Sequence, residues 1–461
     1  MVVGLGSAGM TAATTAAALG MKVMAVERNR AGGDGLWSGC VPSKALLASA
    51  RVTAIAREAA AFGVETGPVK VDGDAVWARI RDVQQQIAIA EDNVELLVER
   101  GVDVREGPAR LLGPRAVEVG GERYTARRIV LATGSRPRLP AIEGIEQADP
   151  LTTDTVWSLP TLPGSITILG AGPAGVELAQ AFNRLGTAVT LIHRHDRILP
   201  RHDRAISLLL MERLADEGVR LVGEAEVEQV QQVESGTSML TGLVGGEERT
   251  FEAEHLLVCC GRRPNFESLD IEGAGIDHGD EGIMTDTRSR TSAKSVYAVG
   301  DVAGRTDTHT AAYDGSMAVR DFAFPGTGRR AAGVPSVVFT DPELAHSGFT
   351  FAEAMERFPR RRVERIERDL ADSDRSRTDG DPPGRVVLVS ASGRLVGVSL
   401  LAPGAGEAAG GLHREVVART RITELARRIE AYPTRAFELR RAAGDRSLER
   451  SARVYSWIPF R

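Results

Sequence analysis

The chain has 461 residues, 43% hydrophobic and 26% charged, which at roughly 150 residues per domain predicts about three domains with cores of their own. A formal net charge of -5 offers no basic surplus for nucleic acid or for an acidic membrane face. The three cysteines, Cys40, Cys259 and Cys260, are too few for a disulfide scaffold and predict a reducing, cytoplasmic setting, and no Cys/His spacing predicts a metal site. The opening MVVGLGSAGM reads as no signal peptide, no apolar run reaches the roughly 18 residues that predict a membrane span, and the first strand has so little lead-in that native residues are expected ahead of it.

Residues 1–27 read strand, glycine turn, alanine-rich helix, strand. Gly4, Gly6 and Gly9 form GxGxxG, in which one glycine makes the turn, one admits a pyrophosphate and one lets helix and strand pack. The anion then meets the free N–H groups of the helix start. Glu27 ends the next strand, where an acid binds a ribose hydroxyl. A glycine-rich loop, 31–39, containing Gly33 and Gly39, leads to a helix opening at Val41-Pro42-Ser43-Lys44. Helices are predicted around 44–62 and 73–100, the second with apolar Val76, Ile80, Val83 and Ile87 three and four apart. Strands near 103–119 lead to Ile129-Val130-Leu131-Ala132-Thr133-Gly134.

The strand–glycine–helix–strand unit recurs over 165–192, with Gly170, Gly172 and Gly175. Its second strand runs into His193-Arg194-His195-Asp196-Arg197 with no acid at its tip. The cations Arg194, His195 and Arg197 suit a 2′-phosphate, favouring NADP with NAD as the alternative; a solvated basic loop is the bland reading. Two fingerprints imply two dinucleotides, FAD at the first and NADP at the second. A strand at 255–260 carries Cys259 and Cys260, read as core packing, into Gly261-Arg262-Arg263-Pro264-Asn265. The strand 295–299 ends in Gly300-Asp301, and 326–333 reads as a linker. Beyond it come strands near 335–339, 385–391 and 395–402 around helical segments, and helices near 411–430.

In this order the motifs resemble the flavoprotein disulfide reductases: glutathione reductase, dihydrolipoamide dehydrogenase, mercuric reductase. Ala132-Thr133-Gly134 is similar to that family's ATG turn. Gly300-Asp301 is similar to its second FAD motif, with the aspartate on the ribityl chain, and Gly261 to Asn265 to its GRxPN turn. Val334 to Glu343 is similar to the start of its dimer-interface domain. The resemblance implies an α/β fold of two Rossmann-like dinucleotide-binding domains, for FAD and NADP, plus a C-terminal α+β dimer-interface domain. It divides the chain into a split FAD domain, 1–150 with 268–332, an NAD(P) domain, 151–267, and an interface domain, 333–461. It also implies a homodimer, because the interface domain completes the partner's active site. Lys44 and Glu177 match the family's lysine–glutamate pair beside flavin N5. A solvated lysine is the bland reading of Lys44.

The redox centre departs from the pattern. The family reads GGxCxxxxCxPSK, and this chain reads Gly32-Gly33-Asp34-Gly35-Leu36-Trp37-Ser38-Gly39-Cys40-Val41-Pro42-Ser43-Lys44. Cys40 keeps the second thiol and Gly35 replaces the first, so an internal dithiol cannot cycle. The family's HPxxxE becomes Tyr432-Pro433-Thr434-Arg435-Ala436-Phe437, with Glu438 one residue late. A tyrosine, with a pKa of about 10, donates hydrogen bonds but is a poor base at neutral pH. The leading expectation is an NADPH-dependent flavoprotein oxidoreductase giving electrons to a non-disulfide small molecule, a quinone first; some family members with similar changes are quinone reductases. A second reading has Cys40, at a helix start that favours its thiolate, reducing a peroxide, a small disulfide or a metal ion. A third has a non-catalytic redox-sensing module. A mercuric-type role is disfavoured, since no thiol pair stands near the flavin or in Trp457-Ile458-Pro459-Phe460-Arg461. Trp37 reads either as a flavin shield or as loop packing, and His309 and Tyr313 read as structural.

Overall fold

A computed structural model describes residues 1–90, 93–232, 237–331 and 333–455. Its first sheet is parallel, in the order Val296–Ala298, Ile129–Leu131, Val2–Val3, Met24–Glu27, Asp103–Glu106. Val2 faces Ala25 on one side and Val130 on the other. The central strands are aliphatic and fully buried, as a parallel sheet covered on both faces requires. Helix α1, Ser7–Ala18, is built from small residues, which lets the helix Thr308–Ala323 approach so closely that a Cβ on Gly315 would overlap the Ala8 carbonyl.

The second sheet repeats the plan: Arg220–Val222, Ala188–Ile192, Ser165–Leu169, His255–Val258 and Leu151–Thr152, all parallel. Each parallel sheet is accompanied by a three-stranded antiparallel meander, 109–125 in the first half and 225–253 in the second. The duplication visible as two glycine fingerprints is therefore a duplication of whole units. The third sheet is antiparallel, in the order Ser336–Val338, Glu343–Gly348, Arg394–Ala402, Arg385–Ala391, Val363–Asp369. Its core includes residues of the helices Ala405–Val417, Ile422–Leu425 and Arg435–Tyr455.

Several local expectations change. The loop 31–39 contains a short helix, α2, Gly33–Trp37, and the next helix, α3, begins at Cys40 and runs to Glu58. Gln84 Nε2 explains the extra turn: it donates to the Leu36 and Trp37 carbonyls at 3.0 and 2.9 Å, satisfying helix-end acceptors. The helix predicted over 73–100 is two, Gly73–Ala90 and Val94–Glu99, the second capped by Asn93 Oδ1 accepting from Leu96 N–H at 2.8 Å. The 326–333 stretch lacks helix or strand among its described residues, yet Arg330 pins it by donating to Asp286 O at 2.6 Å. Among the described residues no helix is long and apolar enough to cross a membrane. Trp457 to Arg461 lie outside the described residues.

Candidate active site

The first glycine turn is a cradle that side chains would fill. Gly4 sits at φ +94°, and a Cβ there would strike the Ala132 carbonyl. A Cβ on Gly9 would overlap the Gly4 carbonyl, so helix and strand touch backbone to backbone. Gly6 caps α1 without a side chain, leaving its first N–H groups for an anion. Gly33, at φ +62°, lies against Gly6, where a Cβ would come 2.6 Å from Gly6 Cα. Glu27 braces this turn: its carboxylate accepts from Leu5 N–H at 2.6 Å and Asn29 N–H at 2.9 Å. Ala132-Thr133-Gly134 is stitched to the 261–265 turn, with Thr133 Oγ1 donating to Asn265 O at 2.5 Å and Asn265 N–H to Gly134 O at 2.9 Å. Gly300, at φ +70°, has Ala8 and Ala311 so near that a Cβ would be tight. These residues fit a pyrophosphate-bearing dinucleotide.

The second turn fits one as well. A Cβ on Gly170, at φ +109°, would lie 2.5 Å from Cys259 O, and one on Gly175 would overlap the Gly170 carbonyl. Gly172 caps the helix α4, Pro173–Arg184, with open space before it. Cys259 and Cys260 lie beneath this turn, and burial raises both thiols, Cys260 to about 11, so they are inert packing groups. Gly175→Ala should leave FAD bound, since the first cradle is untouched, and abolish reduction by NADPH while dithionite still bleaches the flavin. Loss of FAD from this variant would show that the two cradles do not act separately.

Gly4 N–H donates to Val26 O and Gly170 N–H to Ile192 O, both at 2.8 Å, so His193 holds the place of Glu27. It is buried, and burial lowers its pKa, so a neutral ring replaces the acid. Arg194 and His195 are exposed beyond it. Arg197 is not free with them: it pairs with Asp196 at 2.9 Å and donates to Pro200 O at 2.9 Å.

At the start of α3, Gly39 is the N-cap and its N–H donates to Asp34 O at 2.6 Å. Cys40 is exposed, with Sγ 3.3 Å from Thr308 Oγ1. A Cβ on Gly35 would meet Ser7 and Thr308 side chains at 3.6–3.8 Å, ordinary contact distances. One turn along α3, Lys44 Nζ donates to Glu177 Oε2 at 2.8 Å. Glu177 is 4% exposed, and its other oxygen accepts from Phe339 N–H at 2.9 Å. Lys44 Nζ also stands 4.6 Å above the Phe339 ring. Three chain segments thus meet at one buried carboxylate. Trp37 packs within its loop: Nε1 donates to Ala31 O at 2.7 Å and Arg30 lies on the ring. His309 Nε2 bonds the Pro335 carbonyl at 2.9 Å, a structural tie.

Arg262 is the hub of the first cradle's rim. Its Nε donates to Ser135 Oγ at 2.7 Å, Ser135 Oγ donates to Asp301 Oδ2 at 2.5 Å, and the guanidinium pairs with Asp34 and, at 3.3 Å, with Asp154. Burial raises the carboxyl pKa of Asp301. Sequence reasoning missed Asp34, Ser135 and Asp154, although Asp34 between two glycines was a visible signal.

Tyr432 stands apart from this centre in the single chain. It is 64% exposed, its hydroxyl donates to Asp374 Oδ2 at 2.7 Å, and that bond holds its pKa above the usual tyrosine value. Its ring packs edge-on against Phe437. Glu438 points inward instead: it is buried and accepts from Arg368 Nε at 2.6 Å.

The model of the pyridine nucleotide-disulphide oxidoreductase family matches residues 1–316, and that of its dimerisation domain residues 334–443. The chain is 34% identical over 361 residues to a mercuric reductase of Bacillus cereus, across 77% of this chain and 57% of that enzyme, so it spans under two thirds of that relative's length. It is 33% identical to a dihydrolipoyl dehydrogenase of Thermus scotoductus across 96% of both chains. The HOCl-induced flavoprotein disulfide reductase RclA of Escherichia coli superposes with a TM-score of 0.81 at 26% identity, covering 96% of this chain and 98% of RclA. The chain therefore belongs to the pyridine nucleotide-disulphide oxidoreductases, a family of NAD(P)H-dependent flavoprotein oxidoreductases that bind FAD.

Proposed function

We propose that this chain passes electrons from NADPH to a non-disulfide acceptor, a quinone or a similar small molecule. One observation carries the reading: Gly35 stands where the family's attacking thiol stands, while Cys259 and Cys260 pack under the other glycine turn. FAD, when bound, supplies the two-electron relay between nicotinamide and acceptor. The Gly4, Gly6, Gly9 and Gly33 cradle and Asp301 would hold it, with Arg262 at the rim. Lys44, held by Glu177, would put a positive charge where the reduced ring becomes negative. Arg194 and His195 would bind the 2′-phosphate, with Arg197 bracing their loop through Asp196.

In this reading the chain divides at about 150, 268 and 332 into split FAD, NADP and interface domains. Two copies pair through the last of these, whose exposed Ile429 and Tyr432 suit a contact surface. Tyr432 would serve the acceptor as a hydrogen-bond donor rather than as a base, once its single O–H turns away from Asp374. A second reading keeps Cys40 as the reducing group toward a metal ion or peroxide, and its exposure beside Thr308 favours that.

The test is anaerobic. Flavoprotein reduced by NADPH, and separately by NADH, is mixed with a benzoquinone or with lipoamide, and flavin reoxidation is followed. The expected result is rapid reoxidation by quinone alone, with NADPH the faster reductant and Cys40→Ser retaining most of the quinone rate. Rapid reoxidation by lipoamide would overturn the reading. Loss of quinone turnover in Cys40→Ser would transfer it to the single-cysteine chemistry.

A further inference from the structure

Asp34 is an acid at the mouth of an anion site. It follows Gly33, which lies against Gly6, the N-cap of α1, and Gly32 and Gly6 form a β-bridge. Consecutive Cα atoms are about 3.8 Å apart, so Asp34 is one residue from the backbone that receives the pyrophosphate. Its own surroundings are already rich in negative charge. Asp34, Asp154 and Asp301 converge on the single guanidinium of Arg262, with Arg28 further off. Burial pushes the Asp34 carboxyl up to about 6; Asp154 and Asp301 push the same way, and Arg262 and Arg28 oppose them.

We propose that Asp34 governs FAD retention: its charged form repels the FAD pyrophosphate and adds to the carboxylates that hold Arg262, and its protonated form ends the repulsion and loosens that hold. The pyrophosphate carries its charge throughout the neutral range, so the change of sign comes from the protein. A bound anion favours the protonated carboxyl, so FAD binding takes up a proton and weakens as pH rises through the Asp34 pKa. Thermodynamic linkage fixes the direction: the form that binds the ligand more tightly is the form the ligand stabilises.

The holoprotein is equilibrated by ultrafiltration with FAD at about pH 5.5 and about pH 7.5, and free flavin is read by fluorescence. The dissociation constant should rise about sixfold over that interval, most of the roughly tenfold limit set by one unit of pKa displacement. Asp34→Asn, and Asp34→Thr as a second neutral variant, should bind tightly at both values with no slope. Asp154→Asn should keep the slope, because Asp154 meets the same arginine and Ser38 Oγ but does not adjoin Gly33, the residue that lies against Gly6. A wild-type protein without the slope, or neutral variants that retain it or lose FAD altogether, would overturn the proposal. So would a flat Asp154→Asn variant, which would assign the effect to summed charge.

Discussion

Lys44→Met should slow anaerobic reduction of the flavin by NADPH by about a hundredfold to a thousandfold, the usual cost of removing one preorganised charge from a developing anion. The ammonium is held at a fixed point, 2.8 Å from a carboxylate that is itself fixed by the Phe339 N–H. Methionine is one atom shorter and gives up the ammonium's place over the Phe339 ring, but it keeps the unbranched apolar stem, so the change removes charge more than volume. It also leaves Glu177 buried with one oxygen unpaired, which adds a folding penalty of about 3–5 kcal/mol. The two effects separate. Glu177→Gln relieves the buried charge, yet it turns an amide toward the ammonium and loosens Lys44. It should melt near the wild type and still reduce slowly. Stopped-flow bleaching by NADPH, with dithionite bleaching as reference, measures the rate; thermal unfolding followed by flavin release measures the stability. A Lys44→Met variant reduced at the wild-type rate would remove this pair from the electron path and leave it as a tie between the Phe339 segment and α3.

What the sequence announced and what it concealed follow from one distinction. Glycines that must be glycines are visible, because backbone meeting backbone at Gly9 and Gly175 excludes every other residue. Aliphatic runs such as 129–131 and 165–169 are visible because a buried parallel strand tolerates little else. The helix Arg435–Tyr455 was not visible. Its buried residues are chiefly Leu439, Ala442 and Ala443, and its arginines are neutralised by partners distant in sequence, as when Arg446 meets Glu364 at 2.7 Å. The strand Val363–Asp369 hid likewise, its charged residues answered across the fold: Arg365 pairs with Asp203 at 3.0 Å. At the site, Lys44 and Glu177 were legible from their motifs, whereas Asp374 as the partner of Tyr432, and Phe339 as the third member at Glu177, depend on tertiary placement that no local pattern encodes.

Gly35→Cys should return a working dithiol to the α2–α3 corner. The position has room: the nearest atoms to a new Cβ are Ser7 Oγ at 3.6 Å and the Thr308 side chain at 3.7–3.8 Å, and its φ lies outside the left-handed region. Both thiols would converge on Thr308, whose Oγ1 already lies 3.3 Å from Cys40 Sγ. Stability should hold or improve slightly, since glycine within a helix costs up to about 1 kcal/mol relative to other residues. The readout is a thiol count. Unfolded wild-type protein has three thiols whether or not an oxidant has been applied. The variant adds one to those three, giving four when reduced, and a bond between residues 35 and 40 removes two of the four on oxidation, the two electrons and two protons passing to the oxidant. NADPH should then restore the full count through the flavin, which wild-type protein has no disulfide to show. Turnover with lipoamide should stay low even so, because Tyr432 is held by Asp374 as a donor and cannot take the thiol proton as a base would. Adding Tyr432→His should raise that turnover by about a hundredfold, the usual contribution of a positioned base. Failure of the variant to lose two thiols on oxidation would show that residue 35 does not face Cys40. Full lipoamide turnover from Gly35→Cys alone would show that Gly35 was the whole of the loss and that Tyr432 never stood in the way.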